Sequence, residues 1–262
     1  MSEGHFTTGD GCALHYRWDG LESGPVLVLS NSLGTNMAMW EPQVAALAAR
    51  FRLLRYDTRG HGGSAVPPGG YGLDRLGRDV VELADGLGVA TFSFCGLSLG
   101  GMTGQWLGWR APERLERLVI ANSSAFMGPP SGWDARIAAV LSEGMAAMAG
   151  PVLGRWFTPE FAEDSGNTAA VLQQLLNTPP AGYAGCSAAI RDMDMRRILP
   201  LIEAPTLVIG GLSDPATPPE HSHELAAGIA NAECVMLEAA HLSNVEKPGE
   251  FAATLIAFLE RR

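Results

Sequence analysis

Short apolar runs recur along the chain, and each stops at a polar or glycine-rich turn: Val26-Leu27-Val28-Leu29, Leu53-Leu54-Arg55-Tyr56, Phe92-Ser93-Phe94-Cys95, Leu118-Val119-Ile120 and Leu207-Val208-Ile209. Runs this short and this continuous suit strands buried on both faces. Helix-like segments lie between them at about 37–49, 73–87, 99–110 and 218–228. The first carries Pro42 near its start, where a missing N–H costs least. Strand and helix in alternation predict a mostly parallel sheet flanked by helices. The alternating stretch Ala13-Leu14-His15-Tyr16-Arg17-Trp18 instead predicts an antiparallel hairpin arm at the sheet edge.

Near Phe126 this rhythm breaks. Residues 126–195 are rich in Ala, Met and Leu and are interrupted by Pro129-Pro130, Pro151, Pro159 and Pro179-Pro180. The pattern predicts a helical cap (126–195) inserted after a strand of a core made from 1–125 and 196–262. Strand rhythm resumes at Pro205, continues through Cys234-Val235-Met236-Leu237, and ends in a helix from Pro248 to Arg262. No internal repeat is visible.

Composition narrows the function classes. With 262 residues, 47% hydrophobic and 18% charged, the chain has the makeup of a globular protein with a large core, and disorder is excluded. A formal net charge of −10 repels polyanions, so neither nucleic acid nor an anionic membrane is an expected partner, and an anionic ligand must meet local cations. Met1-Ser2-Glu3-Gly4-His5 lacks a basic segment leading into an apolar one, and no apolar run approaches the roughly 20 residues of a membrane span, so a cytoplasmic protein is expected. Cys12, Cys95, Cys186 and Cys234 show no CxxC spacing and are read as reduced, packed thiols.

Candidate chemistry begins at Gly96-Leu97-Ser98-Leu99-Gly100, which follows one predicted strand and opens the helix running to Arg110. A GxSxG string alone is weak evidence in a chain with 32 glycines. Its placement at a strand-to-helix junction is what marks a nucleophile elbow, in which a strained turn exposes the serine and glycines let strand and helix approach. Such an elbow belongs to the α/β-hydrolase fold, whose chain order is Ser, then Asp or Glu, then His.

A serine hydroxyl needs a base and an acid to orient that base. Downstream of Ser98 stand His221, His223 and His241. His241 lies in a loop between a strand and the final helix, where its ring can reach back over the sheet. His221 and His223 begin a helix beside Glu220 and Glu224, are expected on a solvated face, and lack the further ligands of a metal site. His61, in Arg59-Gly60-His61-Gly62, precedes the serine and is expected to hold a turn. Asp214 directly follows Leu207-Val208-Ile209-Gly210, at the carboxyl end of a strand, and is the expected acid; Asp192 and Asp194 compete from the cap's return segment. The oxyanion of acyl transfer needs two donors. They are expected from the backbone N–H of Leu99 and, in the loop Asn31-Ser32-Leu33-Gly34, from that of Leu33, with the Ser32 hydroxyl available to substrate. Asn31 and Ser32 depart here from the His-Gly pair common in the superfamily.

Several segments together resemble the 3-oxoadipate enol-lactonases of aromatic catabolism: Ser30-Asn31-Ser32-Leu33-Gly34-Thr35, Cys95-Gly96-Leu97-Ser98, Gly182-Tyr183-Ala184-Gly185-Cys186 and Ala240-His241-Leu242-Ser243-Asn244-Val245-Glu246. The resemblance covers about residues 25–255 and implies hydrolysis of a small anionic lactone without a cofactor. The substrate carboxylate calls for a cation, and an arginine suits bidentate capture. Arg136, close to Trp133 on the first cap helix, is the candidate, with Arg155 and Arg191 next. Two alternatives stay open: another esterase or perhydrolase of the same fold, separable by a substrate panel, and a hydrolase-like ligand receptor, which would show negligible turnover.

Overall fold

The computed structural model describes residues 2–163 and 166–261. Eight strands form one sheet in the order β1-β2-β4-β3-β5-β6-β7-β8. They are β1 (Ser2–Thr7), β2 (Ala13–Gly20), β3 (Val26–Ser30), β4 (Arg52–Tyr56), β5 (Phe92–Leu97), β6 (Leu115–Ala121), β7 (Thr206–Gly211) and β8 (Ala232–Leu237). β1 pairs antiparallel with β2, and β2 antiparallel with β4; the rest are parallel. The predicted hairpin arm is therefore present. Its outer member, β1, buries little of itself, which explains why periodicity gave it no signal. By contrast β5 and β7 are buried at every position, as their unbroken apolar runs require.

The core helices are α1 (Glu41–Ala48), α2 (Leu73–Gly86) and α3 (Leu99–Arg110). The predicted helix at 37–49 is two elements: a 3-10 turn, Met37–Trp40, capped by the Asn36 side chain at the Ala38 amide, and then α1. Between β6 and β7 run α4 (Pro130–Glu143), α5 (Ala146–Trp156), α6 (Pro159–Glu163), α7 (Gly166–Asn177) and α8 (Pro180–Asp192). At the base of this insertion the Met195 amide donates to the Ala125 carbonyl at 2.8 Å. α9 (Pro219–Gly228), α10 (Ser243–Glu246) and α11 (Pro248–Leu259) complete the chain, and α11 ends three residues before the predicted Arg262.

One topological fact positions the site. β3, β5, β6, β7 and β8 are neighbours in space and parallel, so the segments after Ser30, Leu97, Ala121, Gly211 and Leu237 all emerge at one carboxyl edge. The insertion reaches this edge through its last helix. A Cβ on Gly182 of α8 would lie 2.0 Å from the Gly60 carbonyl oxygen, so the two backbones touch where side chains cannot fit. No helix of the described residues is long and apolar enough to cross a membrane.

Candidate active site

Ser98 sits between β5 and α3 with φ 58° and ψ −113°, a left-handed conformation that costs a non-glycine residue energy. Its surroundings hold it there: the Ser98 amide donates to the Ala121 carbonyl at 2.8 Å, and the Ser98 carbonyl accepts the Ser123 hydroxyl at 2.8 Å. The flanking glycines are obligatory. A Cβ on Gly96 would meet the Gly100 carbonyl oxygen at 2.1 Å, and one on Gly100 would meet the Ser30 carbonyl oxygen at 2.3 Å.

Asp214, beyond β7, is buried and accepts five hydrogen bonds. Its Oδ1 takes the amides of Ala216 (2.8 Å) and Thr217 (3.0 Å). Its Oδ2 takes the Thr217 hydroxyl (2.7 Å), the Asn122 side-chain amide (3.0 Å) and Nδ1 of His241 (2.8 Å). Burial alone would raise this carboxyl, but His241 and the donors from Thr217 and Asn122 outweigh it and hold it at about 2. A permanently ionised partner fixes the His241 proton on Nδ1 and leaves Nε2 as the basic nitrogen. The competing acids are elsewhere: Asp192 pairs with Arg191 at 2.7 Å and Asp194 with Arg196 at 2.6 Å, both exposed. His223 is exposed and His221 half-buried on α9, and neither lines the cavity described below.

The loop after β3 presents its amides in a definite pattern. The Ser32 amide donates to Sδ of Met39 (3.3 Å), Gly34 to Nε2 of His61 (3.0 Å), and Thr35 to the Ser32 carbonyl (3.2 Å). The amides of Leu33 and Leu99 donate to no acceptor among the described residues. His61 does hold its own turn, through Nδ1 and the Arg59 carbonyl at 3.3 Å, but the bond from its other nitrogen to Gly34 escaped the sequence reading. Asn122 and Thr217 escaped it too.

Ser98 and His241 open on a cavity of about 290 Å³ whose wall includes Ser32 and Leu33 from the core and Trp133, Arg136, Arg155 and Tyr183 from the insertion. Among the described residues no acid lines it. Arg136 is half-buried, its guanidinium 4.7 Å from the centre of the Trp133 ring, and Arg155 is exposed at the wall. Among the described residues neither pairs with a carboxylate. Arg191 does, with Asp134 at 2.9 Å and Asp192 at 2.7 Å, and it is not part of this cavity. Burial raises the Tyr183 hydroxyl against the pull of Arg136 and Arg155, so the phenol stays a neutral donor beside the two cations. The insertion is also tied to the histidine loop. The Leu242 amide donates to the Trp156 carbonyl at 2.9 Å, and Glu246 accepts both the Ala240 amide at 2.9 Å and the Thr158 hydroxyl. No cluster of metal-ligating side chains is found among the described residues.

Comparison with known proteins finds relatives over nearly the whole chain. The family model described as alpha/beta hydrolase fold matches residues 25–248. The 3-oxoadipate enol-lactonase 2 of Acinetobacter baylyi is 41% identical over 97% of this chain and 96% of its own. The crystal structure of the enol-lactonase from Burkholderia xenovorans LB400 aligns with a TM-score of 0.96 and 43% identity, covering 98% of this chain and 100% of its own. That of a hydrolase from Pseudomonas aeruginosa PA01 aligns with a TM-score of 0.97 and 50% identity, covering 99% and 98%.

Proposed function

This chain belongs to the α/β-hydrolase family, and on that premise we propose that it hydrolyses 3-oxoadipate enol-lactone to 3-oxoadipate in the cytoplasmic catabolism of aromatic compounds. The observation that carries the substrate is the cavity's charge. Two guanidiniums that have no carboxylate partner among the described residues face a serine and a histidine in a space lined by no described acid, which suits a small lactone bearing one carboxylate arm. Residues 126–195 act as the cap that supplies those cations, over a core of 1–125 and 196–262.

In this reading Ser98 Oγ attacks the ring carbonyl carbon as His241 Nε2 takes its proton, and Asp214 stabilises the imidazolium that results. The oxyanion receives the amides of Leu33 and Leu99. Collapse breaks the bond to the ring oxygen, which departs as an enol protonated by His241 and then tautomerises to the ketone. A water deprotonated by His241 attacks the acyl-enzyme and releases the second carboxylate and Ser98. Arg136, stacked over Trp133, takes the arm carboxylate, and the Ser32 hydroxyl lies within the same wall. No step calls for a metal or organic cofactor.

The test is a panel: the enol-lactone, a neutral lactone without the arm, a simple aryl ester, and peroxide-dependent acid halogenation. The reading expects the highest kcat/KM on the enol-lactone. Preference for the aryl ester or for perhydrolysis would reassign the chain within its fold, and negligible turnover of all four would favour a ligand receptor.

A further inference from the structure

The oxyanion loop is held by two acceptors that neither the triad nor the substrate uses. We propose that Met39 and His61 are positioning residues for oxyanion stabilisation: by occupying the amide hydrogens of Ser32 and Gly34, they leave the one between, that of Leu33, directed into the cavity. The proposal rests on the reading of Ser98 as nucleophile.

The geometry is specific. Met39 Sδ accepts the Ser32 amide at 3.3 Å and also faces the Thr35 hydroxyl at 3.0 Å, whose single proton is shared with the Ser32 carbonyl 2.8 Å away. A thioether is a weak acceptor, and a methionine needed only for packing has no reason to face two donors. His61 Nε2 accepts the Gly34 amide at 3.0 Å, so its proton must sit on Nδ1, where the Arg59 carbonyl lies 3.3 Å away. Full burial, partly opposed by that carbonyl and by Asp57, lowers the ring to about 4, so Nε2 remains an acceptor at neutral pH. Gly34 itself has φ 81°, and a Cβ there would lie 2.7 Å from Cδ1 of Leu175, so the loop packs closely under the cap at this point. Alternate amides are thus pinned outward on either side of Leu33. An oxyanion donor must sit within about 3 Å of the developing charge, and a shift of a few tenths of an ångström in its support weakens it.

The test uses Met39→Leu and His61→Leu, which keep much of the bulk and remove the acceptor, beside Met39→Gln and His61→Gln, which restore a side-chain carbonyl. Steady-state hydrolysis of a neutral aryl ester gives kcat and KM. Inhibition by phenylboronic acid, whose boron bonds to the serine oxygen as a tetrahedral anion, reports the oxyanion site directly. The leucine variants should lower kcat by about ten- to a hundredfold, leave KM within about threefold, and weaken boronate inhibition by a similar factor. The glutamine variants should recover most of the loss. Wild-type kcat in the leucine variants, equal losses in leucine and glutamine variants, or lost kcat with unchanged boronate affinity would each overturn the proposal. Neither probe carries a lactone ring or a carboxylate arm, so failure of the enol-lactone reading would leave this result interpretable.

Discussion

Asn122 donates from its side chain to Oδ2 of Asp214 at 3.0 Å and to the carbonyl of Ala240 at 3.1 Å, while its Oδ1 accepts the Ser243 hydroxyl at 2.5 Å. A single residue at the end of β6 therefore joins the loop that carries the acid to the loop that carries the histidine. Its φ of 42° is a left-handed value that asparagine tolerates better than most residues.

Replacing Asn122 by leucine should lower kcat by about ten- to a hundredfold, the usual effect of removing a group that orients a reactive one. Asp214→Asn should cost about 10⁴, because it also removes the charge that sets the His241 tautomer. Steady-state kinetics on folded protein, checked by circular dichroism, would test both. Wild-type kcat in Asn122→Leu would show that the loops hold their places without it.

The pH response of activity should involve one proton. Asp214 is held at about 2 and stays ionised across the working range, so it adds no proton of its own to the acid limb. A plot of log kcat/KM against pH should fall with a slope of one on its acid side. A slope of two would mean that Asp214 takes up a proton in the same range.

Stability should respond to pH through His61. Its ring is held near 4, below the ordinary imidazole value of about 6.5, so between these two pH values the unfolded chain binds a proton that the folded one refuses. The native state is favoured fully above the upper value and loses on the order of 3 kcal/mol as pH falls toward the lower. His15 works in the opposite sense: burial lowers it, but Asp57 and Glu3 raise it further, so it stabilises in acid and loses that contribution as pH rises. Denaturant unfolding of wild type and His61→Gln at pH 7 and pH 4.5 separates them. The variant should lose less stability on acidification; an equal loss would refute the assignment to His61.

Much of this was legible in the chain. Phe92-Ser93-Phe94-Cys95 read as a central strand because both its faces are buried, and Gly96, Gly100 and Gly101 marked the elbow because each lies against backbone or a side chain that leaves no room for a Cβ. That Asp214 and His241 come together was legible because parallel strands bring their carboxyl ends to one edge. Apart from Thr217, three positions from Asp214, what stayed hidden depends on side chains far apart in sequence. Asn122 reaches Asp214 across 92 positions, and His61 reaches Gly34 across 27. Arg136 stood ahead of Arg191 in the sequence, but only the fold brings Arg191 to Asp134, 57 positions away, so that its charge is paired.

The two remaining arginines can be separated. Arg136 is half-buried over Trp133, whereas Arg155 is exposed and screened by solvent. Arg136→Met should lose about 1.5 to 3 kcal/mol of transition-state binding on the enol-lactone, about ten- to a hundredfold in kcat/KM, and little on a neutral lactone. Arg155→Met should cost less on the anionic substrate. Equal losses on both lactones for Arg136→Met would assign that residue to the support of the cap.

The most direct measurement is the rate at which purified protein removes the enol-lactone ring, followed for wild type and for Ser98→Ala under the same conditions. The expected result is ring opening by the wild type and a fall in kcat of about 10³ to 10⁶ in the variant, with the fold retained. Ring opening by Ser98→Ala at near the wild-type rate, or none by the wild type, would contradict it.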